Sequence, residues 1–141
     1  HRRRHSFPTR RSSDLELSHE YDIQMIGIDP HNALQLRIKL EAMGLPVRDF
    51  SQSIMNMSPP TKEFARLVGR KAINHGSNPV IRWMLGNVHL YTDANDNIKV
   101  HKGRSAEKVD GVVAAIMAVG EWMSPTQETR SYLDDSDLLS W

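Results

Sequence analysis

Two carboxylates stand where a chain can do chemistry. Asp29 closes an apolar run, Ile23, Met25, Ile26 and Ile28, that reads as a buried β-strand over Tyr21–Asp29. Open α/β sheets bind ligands at the carboxyl ends of their strands. Asp110 falls in the first turn of Lys108–Trp122, a segment whose Val109, Val112, Val113, Ile116 and Val119 share one helical face. Opposite that face, Asp110, Ala114, Ala118 and Glu121 form a stripe of mostly small residues that could lie close to a sheet, so this helix is expected to be covered on both sides. An Asp on such a helix needs a partner, because an unpaired buried carboxylate is costly. In one reading Asp29 and Asp110 converge on divalent metal. Carboxylate oxygens suit Mg²⁺ or Mn²⁺, and two ions about 4 Å apart can activate water and stabilise the leaving oxygen of a phosphodiester. In the other reading both are structural: Asp29 caps the helix that Pro30 begins, and Asp110 is favoured by the helix dipole.

The stretch Lys99–Lys108 places Lys99, Lys102, Arg104 and Lys108, together with His101, just before Asp110. These cations could hold nucleic-acid phosphates or offset carboxylate charge, or they could form a solvated hairpin and loop. Arg82 and Trp83 read as a nucleic-acid contact or, for the Trp, as core. His19, His31, His75, His89 and His101 show no HxxxH or HExxH spacing, which argues against a His-based zinc site. There is no GxxxxGK[ST] phosphate loop and no GxSxG elbow, so no ATPase or serine hydrolase site is visible.

The elements that must position these residues fit within 141 residues, room for one core-forming domain. The 39% hydrophobic and 25% charged fractions are those of ordinary globular chains. With 0 Cys, disulfides and thiolate metal sites are excluded, and a reducing compartment fits. No apolar run is long enough to cross a bilayer as a helix. The net charge of +1 hides an asymmetry: residues 1–15 carry five Arg and one Asp, whereas Ser124–Trp141 carries one Arg and four carboxylates. Between them, 16–123 is neutral, so nucleic-acid contact there must come from local patches. The basic head lacks the apolar region of a targeting peptide, although it could be a nucleic-acid arm. His5–Leu15, HSFPTRRSSDL, resembles a translated sequencing adapter, so 1–15 is set apart as non-native and the natural chain is expected to continue upstream. Residues 124–141 read as an acidic, poorly ordered tail, with Leu138, Leu139 and Trp141 able to dock.

After the strand at 21–29, Ala33, Leu36, Leu40 and Met43 share a face and predict a helix over His31–Met43, closed by Gly44. Pro46–Phe50 reads as a second strand, giving a right-handed βαβ unit with a parallel pair. Ser51–Met57 reads as loop. Ser58 then caps a helix with Pro59 at its first position, carrying Phe64, Leu67 and Val68 and weakening or ending at Gly69. Pro79–Leu85 predicts a short helix carrying Val80, Ile81, Trp83 and Met84. Val88–Thr92 and Ile98–His101 predict a hairpin about the Asp93–Asn97 turn.

The ordered set of segments IGIDP (26–30), MSPPTKE (57–63), HGSNPVIRWMLGNVHLYTD (75–93), NIKV (97–100) and SAEKVDGVVAAIMAVG (105–120) resembles the C-terminal nuclease domain of the tailed-bacteriophage terminase large subunit. KVDGVVA following NPVIRWM is its most specific part. The resemblance implies an α/β, partial ribonuclease-H-like nuclease fold with a mixed sheet flanked by helices, and makes 16–123 the C-terminal part of that domain. It implies a metal-dependent endonuclease that cuts concatemeric viral DNA during packaging, with Mg²⁺ or Mn²⁺ held by Asp29 and Asp110 as the family's second and third aspartates. Lys102, Arg104 and Lys108 would serve DNA or electrostatic roles. Double-stranded viral DNA, the portal protein and the small terminase subunit are the implied partners, in the cytoplasm of the infected bacterial host. The family's first aspartate lies on an upstream strand that no residue here matches: Glu16, Glu20 and Asp22 precede or enter the strand ending at Asp29. The chain alone is therefore expected to be inactive. A non-catalytic DNA- or partner-binding phage protein, or another ribonuclease-H-like nuclease of resolvase or transposase type, is the alternative.

Overall fold

The computed structural model describes residues 16–31, 33–105 and 107–124; the adapter-like head, the acidic tail beyond Ser124 and their expected roles lie outside it. The chain divides between Asp49 and Phe50 into two compact units.

The first unit is the expected βαβ motif. β1 (Ile26–Ile28) and β2 (Val47–Asp49) pair in parallel, Ile26 with Val47 and Ile28 with Asp49, and α1 (Leu34–Ala42) crosses between them. β1 is shorter than the apolar run because a strand extends only as far as it finds a partner, and Tyr21 instead closes a helical turn by donating to the Leu17 carbonyl at 2.9 Å. On α1 the expected face is the inward one: Leu40 is buried, and Ala33, Leu36 and Met43 are half-buried. Gly44, at φ +75°, closes the helix, its N–H donating to the Glu41 carbonyl while that of Leu45 donates to Leu40. This pairing satisfies two of the last-turn carbonyls, and glycine takes the left-handed conformation without a Cβ penalty.

One expectation here is corrected. Asp29 does not cap α1, whose N-cap is Ala33. Asp29 Oδ1 accepts the His31 N–H at 3.1 Å. Asp followed by Pro favours such a turn, because the short carboxylate reaches the backbone two residues on and Pro presets φ.

The second unit carries the core. α2 (Ile54–Gly69), α3 (Pro79–Gly86), the antiparallel hairpin β3 (Leu90–Thr92) and β4 (Ile98–Val100), and α4 (Asp110–Met123) surround Met57, Phe64, Val100, Val109, Val112, Val113, Ile116 and Met117. Val112 and Ile116 are the most enclosed, at 1% exposure each. Along α4 the expected apolar face is indeed buried, with Val119 half-buried at its end. The opposite stripe is not covered: Asp110, Ala114 and Ala118 are exposed and only Glu121 is half-buried. Small side chains permit close packing but do not by themselves supply the surface that packs.

α2 starts earlier than its prolines suggest. Ser53, not Ser58, is the N-cap, its hydroxyl accepting the Asn56 N–H at 3.3 Å, and Pro59 and Pro60 lie inside the helix. Each proline removes one donor to the preceding turn. The two carbonyls affected belong to Met55 and Asn56, both exposed residues. The earlier start carries Met57 into the core in helical register with Thr61 and Phe64. Ser58 is buried and accepts the Ile98 N–H at 3.1 Å, tying α2 to β4. Thr61 is buried too, its hydroxyl donating to the Met57 carbonyl at 2.6 Å.

Candidate active site

The second unit positions Asp110 through α4. It is the first residue of that helix, preceded by Val109, which is buried and offers no side-chain cap. Burial of Val109, Val112 and Val113 sets the rotation of the helix and leaves Asp110 outward. A carboxylate in the first turn also interacts favourably with the N-terminal dipole. Its nearest cation is Lys102, Nζ to Oδ1 3.9 Å, with side chains 53% and 71% exposed.

Lys102 comes from the turn after β4, and that turn is pinned at several points. Ser105 Oγ donates to the His101 carbonyl at 2.9 Å, the Arg104 N–H donates to His101 Nδ1 at 3.0 Å, and the His101 N–H donates to the His89 carbonyl at 2.8 Å. With Nδ1 accepting, the neutral imidazole carries its proton on Nε2. The turn thus holds Lys102 and Arg104 in place before α4 begins. Arg104 and Lys108 are exposed. Lys99 and His101, by contrast, are half-buried.

At the hairpin tip, Asp93 accepts the Asn95 N–H at 2.8 Å, the Asn97 N–H at 2.9 Å and the Asn97 side-chain amide at 2.9 Å. The Asn97 side chain, then the Asn97 and Asn95 backbone, hold the Asp93 carboxyl below the usual aspartate range. On α3, Asn78 caps the helix by accepting from Val80 and Ile81, while Arg82 and Trp83 are exposed, so Trp83 is not a core residue.

In the first unit Asp29 is half-buried, one residue past the end of β1. Beside that end lies a carboxylate the sequence reading passed over. Asp49 ends β2 in register with Ile28, and its Oδ1 accepts from Arg37 at 2.7 Å while Arg37 Nε donates to Glu41 at 2.9 Å. The signal in the sequence is an acidic residue that closes the second parallel strand, one register position before that of Asp29 on the first. Among the described residues no group of three His, Asp or Glu side chains is placed to hold a metal ion. Asp29 and Asp110 belong to different units, and each is described in its own.

A family model described as terminase large subunit, endonuclease domain, matches residues 14–125. The chain belongs to this terminase family. It is 28% identical to the terminase large subunit of Enterobacteria phage HK97 over 122 residues, covering 85% of this chain and 24% of the relative. It is 38% identical to Protein YmfN of Escherichia coli strain K12 over 98 residues, 68% of this chain and 22% of that protein. The crystal structure of the HK97 large terminase superposes with a TM-score of 0.72 at 27% identity, covering 79% of this chain and 24% of that one. The chain thus spans about a quarter of the length of the curated relatives it matches. The mixed α/β architecture is the ribonuclease-H-like one expected of a terminase nuclease domain. No helix among its described residues is long and apolar enough to cross a membrane.

Proposed function

We propose that the chain serves as the C-terminal part of a terminase endonuclease that cuts concatemeric viral DNA during packaging, in the cytoplasm of an infected bacterium. The family match over 14–125, with IGIDP and KVDGVVA both inside it, carries this reading. The partners would be double-stranded DNA, the portal and the small terminase subunit.

Asp29 and Asp110 would hold Mg²⁺ or Mn²⁺. Their oxygens are the hard donors these ions take. Bound metal would supply Lewis-acid stabilisation of charge developing at a scissile phosphodiester. Asp110 would contribute from a helix start that the core orients, and Asp29 from the end of β1. Lys102, Arg104 and Lys108 would attract the DNA phosphates, with Lys102 free to turn from Asp110 to a phosphate once another cation takes its place.

The test is Mn²⁺-induced broadening of amide signals around residues 29 and 110, recorded alongside nicking of duplex DNA. Asp29→Asn and Asp110→Asn are expected to abolish the broadening at their own positions. Broadening that survives both substitutions overturns the assignment. The second reading is a non-catalytic DNA- or partner-binding phage protein. In that case DNA affinity is unchanged by Asp29→Ala and Asp110→Ala.

A further inference from the structure

Next to Lys102 the second unit holds an open cavity of about 370 Å³, within the range of about 300–1,000 Å³ for small-molecule sites. Its floor includes the buried side chains of Met57 and Val113. One wall carries Tyr91 and His101, whose rings lie 6.1 Å apart and are inclined at 63°. The rim carries Lys99 and Lys102. Lys99 is held there, Nζ donating to the Gln52 carbonyl at 3.3 Å. Among the described residues no carboxylate lines the cavity.

An apolar floor, an aromatic wall and two ammonium groups without a lining carboxylate fit a ligand with a flat, weakly polar body and an anionic end. We propose that this pocket binds one nucleoside 5′-phosphate unit, its base against Tyr91 and the Met57–Val113 floor and its phosphate on Lys102. Every base has a face to offer an aromatic ring, so such a site is tolerant of sequence. Lys102 also neighbours Asp110, so a phosphate it holds lies close to that carboxylate. The choice of a nucleotide over other aromatic anions rests on the DNA-processing reading above.

The experiment follows the methyl signals of Met57 and Val113 in the full chain, without divalent metal, during titration with thymidine 5′-monophosphate, thymidine or inorganic phosphate. The monophosphate is expected to shift both signals saturably, and more tightly than either half. Tyr91→Ala should weaken it by about fivefold or more, the lower end of base–aromatic stacking. Lys102→Ala should reduce its affinity to that of thymidine. Both side chains are about half exposed, and an unchanged Ile116 methyl signal verifies the fold of each variant. Inorganic phosphate producing the same shifts at the same concentrations overturns the proposal, as does a monophosphate titration that leaves Met57 and Val113 unmoved or is indifferent to Tyr91→Ala. Nucleotide binding in a chain that fails the Mn²⁺ test removes the endonuclease reading and leaves the pocket. Mn²⁺ binding without nucleotide binding does the reverse.

Discussion

Lys102 Nζ lies 3.9 Å from Asp110 Oδ1, joining the turn after β4 to the first residue of α4. The pair is long and wet, and exposed pairs contribute at most about 1 kcal/mol. Its significance lies in position, since a cation and a carboxylate meet where a pinned turn runs into a buried helix. Lys102→Ala is therefore expected to change the unfolding free energy by less than about 1 kcal/mol in urea. The same variant should bind duplex DNA more weakly, with the slope of log affinity against log salt reduced by about 1. An unchanged slope removes Lys102 from the DNA interface.

The Phe50 ring packs directly over Gly120. A Cβ built on Gly120 would lie 2.6 Å from two Phe50 ring carbons and 3.3 Å from Pro60 Cβ. Overpacking of this kind costs about 1–3 kcal/mol, against about 1 kcal/mol that Ala gains in helix propensity. Gly120→Ala should therefore destabilise on balance, and Phe50→Leu in the same chain should recover part of the loss. Gly111→Ala makes the contrast: its Cβ would meet Met84 Sδ at 2.7 Å, in a flexible side chain that can move aside. Thermal melts that show Gly111→Ala as the worse of the two contradict this account.

Ser58 should behave as a buried hydrogen-bond acceptor rather than a helix cap. Ser58→Ala leaves the Ile98 N–H without its 3.1 Å partner. The expected cost is about 1–3 kcal/mol. Hydrogen exchange gives the sharper test, because the Ile98 amide should lose protection first. Protection that persists in the variant rules the bond out.

Asp93 predicts a pH dependence of definite sign. Its carboxyl is held below the usual aspartate range in the folded chain, chiefly by the Asn97 side chain. The unfolded chain therefore binds a proton at higher pH than the folded one does. Stability from Asp93 is fully present above the unfolded value and is lost as pH falls through the lowered folded value. The stability gap between the natural chain and Asp93→Asn should be widest near neutrality and close in acid. A gap that widens as pH falls has the wrong sign for this turn.

Much of the architecture is written locally. Apolar spacing and turn chemistry suffice for the parallel pair about α1, the hairpin about Asp93 and the buried face of α4, since periodicity and Gly, Asn and Asp turns act within a few residues. The family was equally legible, because IGIDP and KVDGVVA in the right order need no coordinates. Long-range packing decided the rest. Ser53 rather than Ser58 begins α2 because Met57 is drawn into the core, and the freed Ser58 then finds a backbone donor on β4. Asp29 turns the chain instead of capping it, the Ala stripe of α4 is left exposed, and Trp83 stands outside the core. The cavity beside Lys102 gathers residues from α2, the hairpin and α4. Sequence spacing constrains what one helix or strand presents, whereas which surface receives it depends on neighbours far along the chain, and that is settled only when the core closes.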